Sequence, residues 1–85
     1  MTRRRTTLEG TITRAGAPLP RAYVQLRDPA GEFTGERRTL EDGAYLFYLG
    51  PGRWSVVVFA AGGTRVEREI EIPAGGAARL DIEVG

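Results

Sequence analysis

Apolar and polar residues alternate along most of this chain, and clusters of turn residues interrupt the alternation at regular intervals. The clusters are Ala15–Pro18, Asp28–Gly31, Glu41–Gly43, Gly50–Gly52, Ala61–Gly63 and Pro73–Gly76. Glycine supplies positive φ at little steric cost, and proline fixes φ at the first corner of a turn. No segment between these clusters follows the helical period. Short alternating segments between regular turns predict an all-β sandwich or barrel.

Seven segments place their apolar side chains on one face and are predicted to be strands. They are Leu8–Ile12, Ala22–Arg27, Phe33–Leu40, Tyr45–Leu49, Trp54–Ala60, Val66–Ile72 and Ala78–Val84. The third segment is polar enough to be an exposed edge strand. Arg68 falls on the apolar face of its segment, which predicts a bulge or a place at the rim where the guanidinium reaches water. Two sheets packed face to face would bury these apolar faces, so we expect a seven-stranded antiparallel β-sandwich.

The aromatic-rich segment from Gly43 to Ala60 holds the predicted interaction surface. A tight turn at Pro51-Gly52 would pair its two halves as a hairpin. Its inward residues would be Tyr45, Phe47, Trp54, Val56 and Val58. Its outward residues would be Leu46, Tyr48, Val57 and Phe59, with Leu46 facing Val57. This outward stripe is the possible interaction surface, because exposed contiguous apolar patches usually mark binding sites. The alternative is that neighbours such as Tyr23 and Arg27 cover it.

Composition limits the partners and the organisation of the chain. The 85 residues carry 12 basic and 11 acidic side chains, for a net charge of +1, and every basic residue is arginine. This balance argues against nucleic acid or a membrane surface as a partner. No apolar run of signal-peptide or transmembrane length is present, so the expected location is cytoplasmic. We expect a disordered basic arm at residues 1–6 and a single domain at residues 7–85.

The residue types also limit the chemistry, and we predict no catalytic, cofactor or metal site. The chain has no histidine, lysine or cysteine, so the sole serine, Ser55, lacks a conventional base. Glu67, Glu69 and Glu71 alternate along one strand, where neighbouring side chains on one face stand nearly 7 Å apart. That spacing is too wide for adjacent ligands of one calcium ion, and a solvated face with cross-strand arginine partners is the favoured interpretation. We therefore expect a protein that is not an enzyme.

Four segments resemble the carboxypeptidase regulatory-like domain. They read LEGTI from Leu8, GAPLPRAYVQL from Gly16, EDGAYLF from Glu41 and LGPGRWSVVV from Leu49. The resemblance implies a prealbumin-like (transthyretin-like) Greek-key sandwich. The GEFTGE segment and Trp54 are similar to a small actinobacterial family of single-domain proteins, some encoded beside thiosulfate sulfurtransferases. A cysteine-bearing amino-terminal extension found in some members is missing.

Three functions remain open at this point. The first is a non-enzymatic module that binds a protein partner, or a second copy of itself, through the outward stripe or an edge strand. The second is a small-ligand or carbohydrate-binding module that stacks a sugar on Trp54 and Tyr48, although the phase of Trp54 places it inward. The third is an accessory role beside sulfurtransferases, which the resemblance alone implies.

Overall fold

The computed structural model describes residues 6–85, which form nine strands connected by turns. The strands are β1 (Thr7–Arg14), β2 (Ala17–Pro18), β3 (Tyr23–Arg27), β4 (Phe33–Arg38), β5 (Ala44–Tyr48), β6 (Gly52–Ala60), β7 (Thr64–Ile72), β8 (Ala77–Arg79) and β9 (Ile82–Val84). The predicted basic arm lies outside the described residues except for Thr6. That residue is buried, and its carbonyl accepts a hydrogen bond from the Leu49 amide.

The strands form a β-sandwich of two sheets. One sheet is built on β1, which pairs with β2, β5, β8 and β9, and the other has the order β4-β3-β6-β7. The apolar faces of both sheets meet in one core. Its buried residues are Leu8, Ile12, Ala22, Val24, Leu26, Tyr45, Phe47, Val56, Val58, Ile72, Ile82 and Val84. The alternation of apolar residues therefore identified the inward faces correctly.

The strand count and directions differ from the expected seven antiparallel strands. A short strand, β2, folds back on the end of β1, and the last predicted strand is divided into β8 and β9. Both of these C-terminal strands run parallel to β1, whereas the other pairings between described strands are antiparallel. Alternation specifies which face is buried and not the direction of the neighbouring strand, so this feature was missed.

The division between β8 and β9 lies beside Gly10. The Leu80 carbonyl occupies the space where a β-carbon on residue 10 would stand, and it accepts a hydrogen bond from the Tyr45 hydroxyl. Burial raises the pKa of Tyr45, so the phenol stays a donor. The Asp81 carboxylate next to this point accepts the Thr11 amide at 2.9 Å. A glycine at position 10 therefore permits the interrupted strand to approach β1.

The Asp81 contact makes stability depend on pH. The Thr11 amide lowers the pKa of the Asp81 carboxyl, and Arg79 contributes in the same direction. A lowered pKa in the folded state adds stability that is complete above the ordinary carboxyl pKa and is lost as the pH falls through the lowered value. We expect Asp81→Asn to lower the urea midpoint at pH 7, and the difference from the parent chain to shrink below about pH 4. A constant difference between pH 7 and pH 2 would contradict this assignment.

The edge strands explain two features of the sequence. Of the strands that the structure describes, β4 pairs with β3 alone, and it is largely exposed, as its polar composition predicts. β7 is the opposite edge strand of the same sheet, with a continuous register against β6. Arg68 in β7 is exposed, and its guanidinium donates to the Glu67 carbonyl. Of the two expected explanations for Arg68, the structure therefore shows a position at the sheet edge where the guanidinium reaches water. No bulge is present there.

Candidate interaction surfaces

Leu46 and Tyr48 lie on the outer face of β5 and are exposed, with 39% and 57% of their surface accessible. Leu40, in the connection from β4 to β5, is 66% exposed beside them. These side chains border one cleft of about 360 Å³. We call it the β4–β5 cleft, and its lining residues are Glu9, Arg37, Arg38, Leu40, Ala44, Tyr45, Leu46 and Tyr48. Three exposed apolar side chains thus share one concave site.

The cleft lies where the edges of the two sheets meet. Among residues 6–85, β5 pairs with β1 and no other strand of its sheet, and β4 pairs with β3 and no other strand of the second sheet. The two edges are close, because a β-carbon on Gly35 of β4 would stand 3.8 Å from the Phe47 ring. The Leu40 amide also donates to the Ala44 carbonyl, which fixes the connection against the start of β5. The cleft therefore has backbone of two strand edges along its sides.

The cleft is positively charged on its β4 side. The Arg37 side chain forms no ion pair or hydrogen bond with any residue from 6 to 85. Arg38 is held over the Tyr23 ring, with its guanidinium carbon 5.3 Å from the ring centroid. Among the described residues a single carboxylate lines the cleft, that of Glu9, and it lies 4.0 Å from the Arg79 guanidinium. The Arg37 guanidinium is thus the charged group on this side that no residue from 6 to 85 neutralises.

Val57 and Phe59 lie on the outer face of the other sheet. Val57 stands between Gln25 and Glu67 on the neighbouring strands and is fully covered. Phe59 lies between Tyr23 and Arg65, whose guanidinium carbon is 5.9 Å from the Phe59 ring centroid. Neighbouring side chains thus cover much of this part of the predicted stripe, as the alternative interpretation held.

The predicted hairpin is wrong, and the four residues do not form one stripe. β5 pairs with β1, while β6 pairs with β3 and β7, so the chain crosses from one sheet to the other at residues 49–51. Leu46 therefore lies opposite Glu9 and not opposite Val57. The physical reason is that strands in both sheets turn their apolar faces to the same core. The inward phase is the same for a hairpin and for a sheet-to-sheet crossing.

Trp54 packs against the core, as its phase predicts. The side chain is partly buried, and the indole N–H donates to the Gly50 carbonyl at 2.9 Å. This bond holds the ring against the crossing between the sheets. The structure does not bring Trp54 and Tyr48 together as lining residues of the β4–β5 cleft.

The acidic side chains of β7 are paired with arginines. Glu69 and Glu71 lie 3.6 and 3.7 Å from the Arg53 guanidinium, and Glu67 lies 3.0 Å from that of Arg65. Over residues 6–85 no group of three or more acidic, cysteine or histidine side chains is arranged to hold a metal ion. The same part of the chain contains no helix that is long and apolar enough to cross a bilayer.

Sequence reasoning missed Arg37, Arg38 and Leu40 as members of the candidate site. These residues end the exposed edge segment that the alternation identified, and their position beside β5 depends on how the chain returns to the other sheet. One signal was available in the sequence. Leu40 is an apolar residue directly before the acidic turn at Glu41–Gly43. A connection that is exposed to water gains no stability from an apolar side chain at that position.

Two solved structures share this fold at low sequence identity. The TIE protein of Bacillus anthracis is 20% identical, with a TM-score of 0.81 over 94% of this chain and 17% of its own. A DUF3823 family protein from Parabacteroides merdae is 16% identical, with a TM-score of 0.62 over 98% of this chain and 47% of its own. The chain thus spans less than half the length of either structure. No curated protein matches it significantly.

A family model covers nearly all of the chain. It is described as a protein of unknown function, DUF1416, and it matches residues 1–84. The match includes every strand of the sandwich and the whole β4–β5 cleft. This chain therefore belongs to the DUF1416 family.

Proposed function

We propose that this chain is a non-enzymatic binding module that docks a protein partner at the β4–β5 cleft. The observation that carries the proposal is the grouping of Leu40, Leu46 and Tyr48, all exposed, around one concave site. Isolated apolar side chains are common on protein surfaces, but contiguous exposed patches usually mark interaction sites. An edge strand beside the patch adds a second means of binding, because it can accept another strand.

The residue types support a role outside catalysis. Without histidine, lysine or cysteine, the chain lacks the usual general bases and nucleophiles for its Ser55 hydroxyl. Its most acidic strand uses its carboxylates in ion pairs with Arg53 and Arg65. The cleft itself offers apolar surface and guanidinium groups, which are the components of a recognition site.

The proposal includes the finer type of the sandwich, a carboxypeptidase regulatory-like domain of the prealbumin-like class. Its support is the position of the resembling residues in the fold. Gly43 takes a φ of 78° directly before β5, and Gly52 begins β6 after Pro51. In such a domain the motif specifies turns, and binding depends on side chains that the motif leaves variable.

Site-specific photo-crosslinking in cells tests the binding role. A photoreactive phenylalanine analogue at Leu46 should give a discrete adduct with another protein. The same analogue at the exposed Glu71 position, on the far edge of the other sheet, should not. Leu40→Thr should reduce the Leu46 adduct at least about fivefold, because it removes apolar surface from the cleft. Equal adducts from both positions would contradict the proposal, and an adduct of two copies of this chain would identify self-association instead.

A further inference from the structure

The geometry points to an extended peptide of alternating apolar and acidic residues, from a partner protein, as the ligand of the β4–β5 cleft. This peptide adds as a strand to the open edge of β5, with its acidic side chains toward Arg37 and Arg38. The inference rests on the proposed function and names the chemistry of the partner. Two independent features of the cleft carry it, the backbone of β5 and the charge of β4.

The backbone of β5 is arranged to accept another strand. Its antiparallel register with β1 is bracketed by hydrogen bonds from the Ile12 amide to Gly43 and from the Leu49 amide to Thr6. In such a ladder alternate residues face the partner, so Leu46 directs its amide and carbonyl away from β1. No strand among residues 6–85 covers that edge, and only at Ala44 are its groups taken, by the Asp42 carboxylate and the Leu40 amide. The edge of β5 therefore offers hydrogen-bonding groups at the centre of the cleft.

The composition of β5 lacks the features that usually block an edge. Edge strands in soluble proteins are commonly protected by charged residues, proline or bulges. β5 reads AYLFY, without any of these, and its register against β1 is continuous. The edge strands of the other sheet differ, since β4 and β7 carry several charged side chains. Among these edges, β5 is the one whose composition suits strand addition.

Charge selects an acidic partner over a second copy of this chain. Two copies that paired through β5 would bring the cleft arginines of both copies together, while the Glu9 carboxylate of each cleft already lies near Arg79. Like charges in one interface are unfavourable. The acidic strand β7 is a poor donor as well, because Glu67, Glu69 and Glu71 already pair with arginines. The first five residues contain three arginines and have the wrong charge. A separate acidic segment meets the requirement.

Binding of designed peptides to the full-length, isotope-labelled chain tests this inference. The probe is a terminally blocked octapeptide of alternating valine and glutamate, compared with its valine–glutamine and valine–lysine counterparts. By NMR titration we expect the glutamate peptide to bind at least about tenfold more tightly than the glutamine peptide. Its advantage should shrink at 0.5 M salt (roughly a 4 Å screening length). The amide shifts should centre on residues 44–48 and Arg37.

Two matched comparisons separate the charge from the strand addition. Arg37→Gln should weaken the glutamate peptide about tenfold and leave the glutamine peptide unchanged, whereas Arg53→Gln, the same change on the far side, should alter neither. For the strand, two glutamate peptides are N-methylated, one at the valines and one at the glutamates. Only one of these sets of amides faces β5, so one peptide should lose binding much more than the other.

Several results would overturn the inference. Equal binding of the glutamate and glutamine peptides removes the charge argument, and equal loss in the two methylated peptides removes the strand addition. Dimerisation of the chain that Leu46→Glu abolishes assigns the cleft to a second copy. If the glutamate peptide fails to bind while the crosslink at Leu46 persists, this inference fails and the proposed function stands. If the crosslink is also missing, both fail.

Discussion

Gly10→Ala should destabilise the domain by about 3 kcal/mol or more, lowering the melting temperature by about 15 °C. A β-carbon at this position would overlap the Leu80 carbonyl, which is backbone and cannot rotate away. The same carbonyl accepts a hydrogen bond from the hydroxyl of the buried Tyr45, and the Leu80 amide donates a hydrogen bond to the Glu9 carbonyl. Relief of the overlap thus requires the C-terminal strands to move from β1. Thermal unfolding followed by circular dichroism measures the effect.

Gly50→Ala is the matched control for this change. Gly50 has open space around the position of a β-carbon and does not take positive φ. The same added methyl group should therefore change stability by less than about 0.5 kcal/mol. A Gly10→Ala protein that melts within a few degrees of the Gly50→Ala protein would show that β8 and β9 adjust freely.

Gly43→Ala should cost about 3 kcal/mol, from two separate causes. Gly43 has a φ of 78°, a conformation that is unfavourable for alanine. Its β-carbon would also stand 2.5 Å from the Ile12 carbonyl oxygen and 3.1 Å from the Leu19 amide nitrogen. Those two groups are hydrogen-bonded to each other, so the added atom would disturb the end of β1. Urea unfolding gives the loss of stability directly.

Gly62→Ala separates the two causes. Gly62 has a similar φ of 84°, but nothing lies within 4 Å of the position of its β-carbon. We expect a loss of about 1 kcal/mol there, from the backbone conformation alone. The excess at Gly43 then measures the steric overlap with β1. Equal losses of stability at both glycines would mean that the end of β1 moves to accommodate the methyl group with no measurable loss of stability.

The inward faces of the strands could be predicted because alternation reports burial directly. Tyr45 and Phe47 are buried while Leu46 and Tyr48 are exposed, as their phase predicts. The positive φ of Gly43 also follows from local signals, since an acidic turn precedes a strand there. Burial and turn chemistry depend on the local sequence. For that reason both are visible in the sequence of a single chain.

Strand neighbours could not be predicted in the same way. A turn of the same length can close a hairpin or carry the chain to the other sheet, and the phase of Phe47 and Trp54 is inward in both cases. Because the chain crosses between the sheets at residues 49–51, Leu46 is separated from Val57. Leu46 instead lines a cleft together with Arg37 and Arg38 of β4. The candidate site therefore kept two of its four predicted residues, Leu46 and Tyr48. It gained Arg37, Arg38 and Leu40 through tertiary contacts that no local pattern contains.

The parallel pairing of β9 with β1 has a consequence for how the chain folds during synthesis. Contacts such as Thr11 with Asp81 join positions 70 residues apart, at opposite ends of the sequence. Such non-local pairings form slowly, because loop closure precedes any gain from the contact. Within this domain β1 is synthesised before β9 and stays without that neighbour until the end of the domain is made. Until then one edge of β1 is open to misassociation, and a chain truncated before Ile82 would keep that liability permanently.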